Sequence, residues 1–525
     1  MTEDKKKKGI QGMLKATSIM VIANLVGSVL GFGKSILINS IFGPGMETDA
    51  YNAAFKIPDF IYTILVGGGL SSAFIPIFSQ YLARDEKKRG YRMANTVLNL
   101  VVVFAVGLSV LGLIFTPQLT RLLVDYTGEG FDLTVRLTRI MFLQSFFMCL
   151  VGVFMGILQT YQDFAPSSIG AVYYNLCIVV FGVLLSQTFG LGIAGFSISV
   201  VIGAFVDLLC HIRPLKRAKF EYMPIIDFKE EGVKQFFRLL WPSLLGMSVN
   251  QINIMVNQKF ASGLGDSTIT VMGNALQIMN LPVNMFAAIS LAIFPAMSQS
   301  YSIGKVDDYK ENLRIGFNTT NFVAFPSMAG LIFLSKPVIR MMFLQGKTTS
   351  KDVDNIAFYL IIYSIGIVAY SIRVHLNRCF YAAQDTRTPV TVNIVVLTIN
   401  IILSFVFVKY WKGGGLAAAY VVAGFVSMIL NFVLLRRKIG RMGITQMVRS
   451  LIKTVISTVV MSIVLIILTK ICETNLDLTS KMMQFIETIG LTIAGVIVYF
   501  VTAYLIKAEE MTTVIDIIKR KIKRH

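Results

Sequence analysis

Apolar residues run along this chain in uncharged stretches of about 20, separated by short polar segments. Leu98–Phe115, Ile193–Val206 and Thr454–Leu468, with their flanks, show the pattern. It predicts membrane helices over approximately 11–42, 52–82, 93–116, 135–159, 166–188, 191–212, 236–262, 267–299, 315–336, 354–382, 388–410, 414–436, 448–470 and 485–506. In hydrocarbon the backbone N–H and C=O groups have no water to bond, so they must bond within the segment, as a helix does. A membrane barrel would alternate apolar and polar positions through ten-residue segments, and this chain does not. Several stretches exceed what a bilayer needs, which predicts tilt or protrusion. The expected fold class is all-α and integral to the membrane, with about fourteen transmembrane helices.

Composition sharpens the exclusions. Of 525 residues, 55% are hydrophobic and 15% charged, against about 25% charged in soluble domains. The longest polar stretch, Arg213–Arg238, is too short for a soluble catalytic domain. A soluble enzyme, a nucleic-acid-binding domain and a transporter carrying its own ATPase are excluded, and no GxxxxGK[ST] phosphate loop is present. The net charge of +20 sits in short loops, which reads as the positive-inside bias plus attraction to anionic phospholipids. Lys5–Lys8, Arg84–Arg92, Arg213–Arg238, Lys305–Arg314, Arg436–Arg449 and Lys507–Arg524 fall on one side. Roughly thirty basic residues there face fewer than ten opposite, so both termini are expected in the cytoplasm. The Lys-rich start lacks a small-residue cleavage site and reads as a retained first helix. Val514–Arg524 reads either as an amphipathic helix on the inner leaflet or as a solvated tail. The cysteines Cys149, Cys177, Cys210, Cys379 and Cys472 have neither CxxC nor metal-ligand spacing, and no cofactor is implied.

The two halves match at an offset of about 223 residues. Ile57–Phe60 meets Leu281–Asn284, Ala73–Gln80 meets Ala292–Gln299, Tyr161–Pro166 meets Ala383–Pro389, and Leu191–Gly195 meets Gly414–Ala418. A unit of six spans is even, so both copies enter from the same side, as parallel repeats about an axis along the membrane normal. The expected organisation is an N-lobe over residues 1–225, a C-lobe over 226–440, two extra helices over 441–508 and a basic tail over 509–525. Two six-helix lobes would flank a central cleft. Gly27, Gly31 and Gly33 are candidate hinges or close-packing positions. Ser79 and Gln80, with Ser298 and Gln299, end spans 2 and 8 and read as an inner gate or as helix caps.

Charges inside hydrocarbon cost about 2.5–3.5 kcal/mol on insertion scales, so they face cavities or partners. Lys34, Lys56, Asp59, Arg139, Asp207, Lys259, Arg373 and Arg378 qualify, with His375 between the last two. Cations outnumber carboxylates, which favours an anionic substrate over a drug cation. Lys34, Lys56, Arg373 and Arg378 are the candidate ligands. Lys56 and Asp59 are spaced i,i+3 and could instead neutralise each other. Arg139 and Lys259 read as snorkelling, Asp207 as interfacial, and His375 as packed, with proton coupling as its alternative. Met141, Met148 and Met155 read as lipid-facing packing or as a lipid-tail groove.

VLGFGK at Val29–Lys34, IFGPGMETDAYNAAFKIPDF at Ile41–Phe60, SSAFIPIFSQY at Ser71–Tyr81 and FYAAQDTRTPV at Phe380–Val390 resemble the MurJ (MviN) family of lipid II flippases. That family lies within the multidrug/oligosaccharidyl-lipid/polysaccharide exporter superfamily. The resemblance covers nearly the whole chain, including two helices beyond the superfamily's twelve. It implies export of a polyprenyl-pyrophosphate-linked peptidoglycan precursor to the outer leaflet of the bacterial cytoplasmic membrane by two rocking lobes. It implies no covalent chemistry, so the chain is not expected to be an enzyme. Membrane potential or an ion gradient would reset the carrier, and cell-wall synthesis enzymes are the further candidate partners. Family members' Arg and Asp fall on Lys34 and Asp49, which adds Asp49 to the substrate-binding candidates. Family arginines are replaced here by Ser28, Tyr62, Thr63 and Gln277. A flippase for another polyprenyl-linked glycan, a drug/cation antiporter and a non-transporting scaffold are the rival readings.

Overall fold

The computed structural model describes residue 23 and residues 26–67 and 73–511. The Lys5–Lys8 segment, the start of span 1, Gly68, Gly69 and the Val514–Arg524 tail lie outside the described residues. The chain runs through α1 (Val26–Phe42), α2 (Met46–Ala54), α3 (Lys56–Tyr62), α4 (Ile75–Ala83), α5 (Lys87–Leu123), α6 (Glu129–Thr160), α7 (Ala165–Val183) and α8 (Ile193–Arg217). It continues through α9 (Glu231–Ser262), α10 (Thr268–Ser302), α11 (Val306–Phe333), α12 (Ser335–Phe343), α13 (Ser350–Ala382), α14 (Arg387–Ile439), α15 (Ile444–Asn475) and α16 (Lys481–Leu505). Among the described residues nine helices are long and apolar enough to cross a membrane, ten when α11 and α12, bent by 70°, count as one span. At 1.5 Å per residue, the 53 residues of α14 would reach about 80 Å, far beyond one bilayer. α14 is in fact two helices meeting at Lys412 (φ 47°, ψ −128°), as the separate spans 388–410 and 414–436 require.

The chain forms two compact units, residues 1–269 and 270–525. In the first, α1, α2, α6, α7 and α8 bury Ile38, Tyr51, Leu137, Met141, Ile178 and Phe196 in one cluster. Met141 is therefore a core residue rather than a lipid-facing one, and Met148 and Met155 are half-buried. In the second, Phe322 and Leu334 pack with Met461, Leu465, Leu491 and Tyr499 of α15 and α16. Outward faces carry exposed Val, Ile and Phe, such as Phe104, Ile114, Ile463 and Ile466, the reverse of a water-soluble surface and the expected face toward lipid.

The repeat is written in the backbone. Left-handed residues stop or start helices at Gly43, Asp85, Gly128, Gln162, Gly192 and Lys219, and again at Gly265, Gly304, Gly346, Gln384, Lys412 and Gly440. Each pair is 218 to 222 residues apart. Details match as well. Asp163 N–H donates to Leu158 O at 3.0 Å, and Asp385 N–H to Phe380 O at 2.9 Å, each closing the turn after a left-handed glutamine.

The copies also differ. Twelve residues (61–72) separate the matched motifs of span 2, but seven (285–291) separate those of span 8. The longer segment includes a π-helical turn at Thr63–Gly67, a feature frequent at functional sites. Span 2 is divided into α2, α3 and α4, and it begins at Met46 rather than 52, whereas α10 runs unbroken through Pro282 and Pro295. Conversely α5 runs on through Pro117 to Leu123, while its counterpart bends at Leu334 and restarts as α12. The appended α16 holds α12 there. Thr488 Oγ1 donates to Pro337 O at 3.2 Å, and Arg340 Nη2 reaches Glu487 Oε1 at 3.4 Å with Glu487 fully buried.

Candidate functional site

In the first unit, α1 is helical throughout Val26–Phe42, so Gly27, Gly31 and Gly33 do not break it. Gly27 and Gly31 face α7. Asn175 Nδ2 lies 3.4 Å from Gly27 O, and a methyl on Gly31 would meet Asn175 at 3.6 Å; one on Gly33 would meet nothing within 4 Å. Lys34 follows one residue later, half-buried, its Nζ 5.7 Å from the centre of the Phe55 ring. Phe55 sits at the α2–α3 break and packs edge-on against Tyr51 at 5.2 Å. Lys56 and Asp59 lie half-buried one turn apart on α3, and the Gln251 side chain of α9 bonds Asp59. Asp49 is fully buried, its carboxylate accepting from Tyr126 Oη at 3.2 Å and from the Ile269 amide at 3.4 Å. Lys34 therefore sits against Phe55, with Lys56 and Asp59 following on α3, and Asp49 ties α2 to the first turn of α10.

In the second unit Arg373 and Arg378 of α13 rest on aromatic faces. Arg373 Cζ lies 4.8 Å from the Tyr370 ring centre, and Tyr370 stacks on Tyr420 at 4.6 Å. Arg378 Cζ lies 5.9 Å from the Phe294 ring. Both Nε atoms are buried without a hydrogen-bond partner. Cation–π contact stabilises a guanidinium by about 0.5–2 kcal/mol and leaves its N–H fork open to an anion.

Ser79 and Gln80, and Ser298 and Gln299, occupy the last turns of α4 and α10. Both glutamines are exposed, and their carbonyls accept from Arg84 N at 3.1 Å and Ile303 N at 3.2 Å. These contacts close helix ends. Lys259 Nζ donates to Arg121 O at 2.6 Å and Val124 O at 3.1 Å and pairs with the half-exposed Asp125 just past the end of α5. His375 is buried and packed. A carbonyl can only accept, so Nε2 donates to Leu313 O at 3.0 Å and Nδ1 takes the Ser290 hydroxyl at 3.2 Å.

Two features escape a reading of spans alone. Asp207 is buried between helices; it is 4% exposed and lies 3.4 Å from the fully buried His211. The i,i+4 spacing of an Asp and a His inside an apolar run was the available signal. On α5, Asn95 and Asn99 hold the segment 221–225 by its backbone, with Asn95 Nδ2 2.9 Å from Glu221 O and Asn99 Nδ2 2.9 Å from Ile225 O.

Paired helical repeats and cations held against aromatic rings inside apolar helices are features of a membrane carrier. The family model for lipid II flippase MurJ matches residues 38–487. The chain belongs to that family. A Burkholderia cenocepacia lipid II flippase MurJ is 28% identical, the match covering 91% of this chain and 94% of that protein. A Bdellovibrio bacteriovorus protein described as a probable lipid II flippase MurJ is 28% identical over 98% of both. The solved structure of lipid II flippase MurJ in an inward closed conformation aligns with TM-score 0.79 and 25% identity over 94% of this chain and 99% of that one. A multidrug resistance MATE transporter of the MOP superfamily shares the fold, with TM-score 0.70 at 17% identity over 81% of this chain and 98% of that one.

Proposed function

We propose that this protein moves lipid II from the inner to the outer leaflet of the bacterial cytoplasmic membrane by alternating access, with no covalent step. Membrane potential or an ion gradient drives it. The observation that carries the reading is the state of the embedded cations: Lys34, Arg373 and Arg378 lie against aromatic rings, not carboxylates. Such charges are kept available for a pyrophosphate, which Arg binds as a fork and Lys as a point charge. In this reading the lobes 1–225 and 226–440 flank the cleft, Lys56 and Asp49 complete the headgroup site, and residues 441–508 make up the full set of about fourteen spans. Gly27, Gly31 and Gly33 let α1 flex, while Ser79, Gln80, Ser298 and Gln299 close the inner side. Both termini are cytoplasmic, anionic phospholipids meet the basic loops, and cell-wall synthesis enzymes are the partners to test.

Ser28, Tyr62, Thr63 and Gln277, neutral where the family resemblance calls for arginine, favour one second reading, a different polyprenyl-linked glycan as cargo. The test replaces the resident flippase of a depletion strain with this protein and, in parallel, with Lys34→Ala. Restored growth and outer-surface lipid II, both abolished by Lys34→Ala at equal protein level, are the expected results. Well-expressed wild type that restores neither refutes lipid II as cargo and leaves the second reading. Coupling to the potential predicts that depolarisation changes thiol labelling of Gly33→Cys, and unchanged labelling refutes it.

A further inference from the structure

Asp207 and His211 lie where α7 packs on α8, and nothing in the transport reading above uses them. Gly170 of α7 makes the space: a methyl there would collide with Asp207 Oδ1 and come within 3.2 Å of His211 Cε1. His211 Nδ1 is 2.9 Å from the Asp207 carbonyl and 3.4 Å from Asp207 Oδ1. A carbonyl only accepts, so Nδ1 carries the proton and Nε2 keeps its lone pair. Nε2 and Asp207 Oδ1 are both buried with no hydrogen-bond partner. His375 provides the contrast within the same chain, a buried histidine with both ring nitrogens bonded.

Among the described residues, the groups that look onto the pair are Tyr62 at the end of α3, Tyr174 of α7, Cys210 of α8 and Asp163 in the turn before α7. None of these is a cation, so none of them can balance a carboxylate here. With Nδ1 protonated and Asp207 ionised the pair carries one negative charge; one further proton makes it neutral. Leaving a buried charge unpaired costs several kcal/mol, so the sealed site holds that proton and only a hydrated site releases it. α8 ends at Arg217, ten residues beyond Asp207, about 15 Å along the helix. Arg213, Lys216 and Arg217 on that end favour the ionised form once water enters.

We propose that Asp207 and His211 form a binding site for one proton, loaded when the α7–α8 packing is closed and released when that packing admits water, so that the transport cycle is linked to the proton gradient. Asp207 takes the proton; His211 positions it and shares the charge. The coupling rests on the flippase reading above, whereas the site itself does not.

Infrared difference spectra of the protein in membranes test the site directly. Wild type should show a protonated carboxylic-acid band that is lost as pH rises. Asp207→Asn should lack it, and His211→Gln should move its titration. Absence of a titrating band in wild type overturns the site without any variant, and a band that survives in Asp207→Asn overturns the assignment. The second measurement is lipid II exposure in proteoliposomes clamped at zero potential by potassium and valinomycin. One proton per cycle allows a bias of up to about tenfold per pH unit imposed, expected in wild type and absent in Asp207→Asn. An equal response in both, or none in a wild type that still moves lipid II, overturns the coupling. A titrating band with no lipid II movement under any gradient upholds the site and refutes the cargo.

Discussion

The segment joining α8 to α9 is held to α5 by side-chain amides acting on its backbone, and that makes a measurable latch. Asn95 is fully buried; its Nδ2 donates to Glu221 O and its Oδ1 accepts from Met223 N, both at 2.9 Å. Asn99 Nδ2 donates to Met223 O at 3.0 Å and Ile225 O at 2.9 Å, and Thr96 Oγ1 accepts from Asp227 N at 3.1 Å. Arg92–Asp227 at 3.3 Å and Arg89–Glu230 at 2.8 Å add exposed ion pairs, worth little each. Asn95→Leu removes two of the bonds to the segment, and each contributes about 0.5–1.5 kcal/mol. The segment is exposed enough for water to replace part of that, which sets the loss near 2 kcal/mol. A loss of that size raises the open population about 30-fold, and proteolysis follows that population when reclosing is fast. Trypsin cutting at Lys219 and Lys229, which flank the pinned stretch, reads it. Thr96→Val gives up one bond, about 1 kcal/mol, and should speed cutting only about fivefold. If Asn95→Leu is cut no faster than Thr96→Val, the amides do not hold the segment and the reasoning fails.

Paired glycine substitutions separate packing from hinging. Gly316→Ala drives a methyl into the His375 imidazole, whose nitrogens are both committed, and should lower stability by about 1–3 kcal/mol in a melting assay. Gly33→Ala meets nothing within 4 Å and should raise stability by about 0.5–1 kcal/mol; a hinge at that point would show as reduced lipid II exposure in the same, more stable variant. At the α13–α14 turn, the Lys438 ammonium at 2.8 Å and the Thr388 N–H and hydroxyl hold the Asp385 carboxyl down at about 2. A depressed carboxylate stabilises the fold above its unfolded value near 4, and that contribution fades as pH falls from there through about 2. Water screens this loop, so about 1 kcal/mol is at stake. Asp385→Asn should therefore flatten the acid limb of the stability curve, and an unchanged limb would remove Asp385 from the account.

How far the sequence foretold the protein depends on which physics sets each feature. The repeat was legible because helix stops need particular backbone conformations. The QD motifs at Gln162–Asp163 and Gln384–Asp385 mark left-handed turns that both copies must make, and short polar motifs survive there while apolar positions drift freely. Lys34, Lys56 and Arg373 stood out because charge in hydrocarbon is costly wherever it occurs. Which of them would share a neighbourhood was not legible. That depends on which aromatic ring each one meets, Phe55 for Lys34 and Tyr370 for Arg373. The burial of Asp207 was hidden for a related reason. Distance from a span end says how deep a residue lies, but burial depends on what faces it, and here that is Gly170 on a different helix. A glycine in an apolar run gives no sign of which side chain it admits. The same limit applied to Lys259, whose partners Arg121, Val124 and Asp125 lie more than 130 residues away. In a membrane protein, then, hydropathy fixes which residues are expensive, and only packing decides which of them are paired and which remain free to bind.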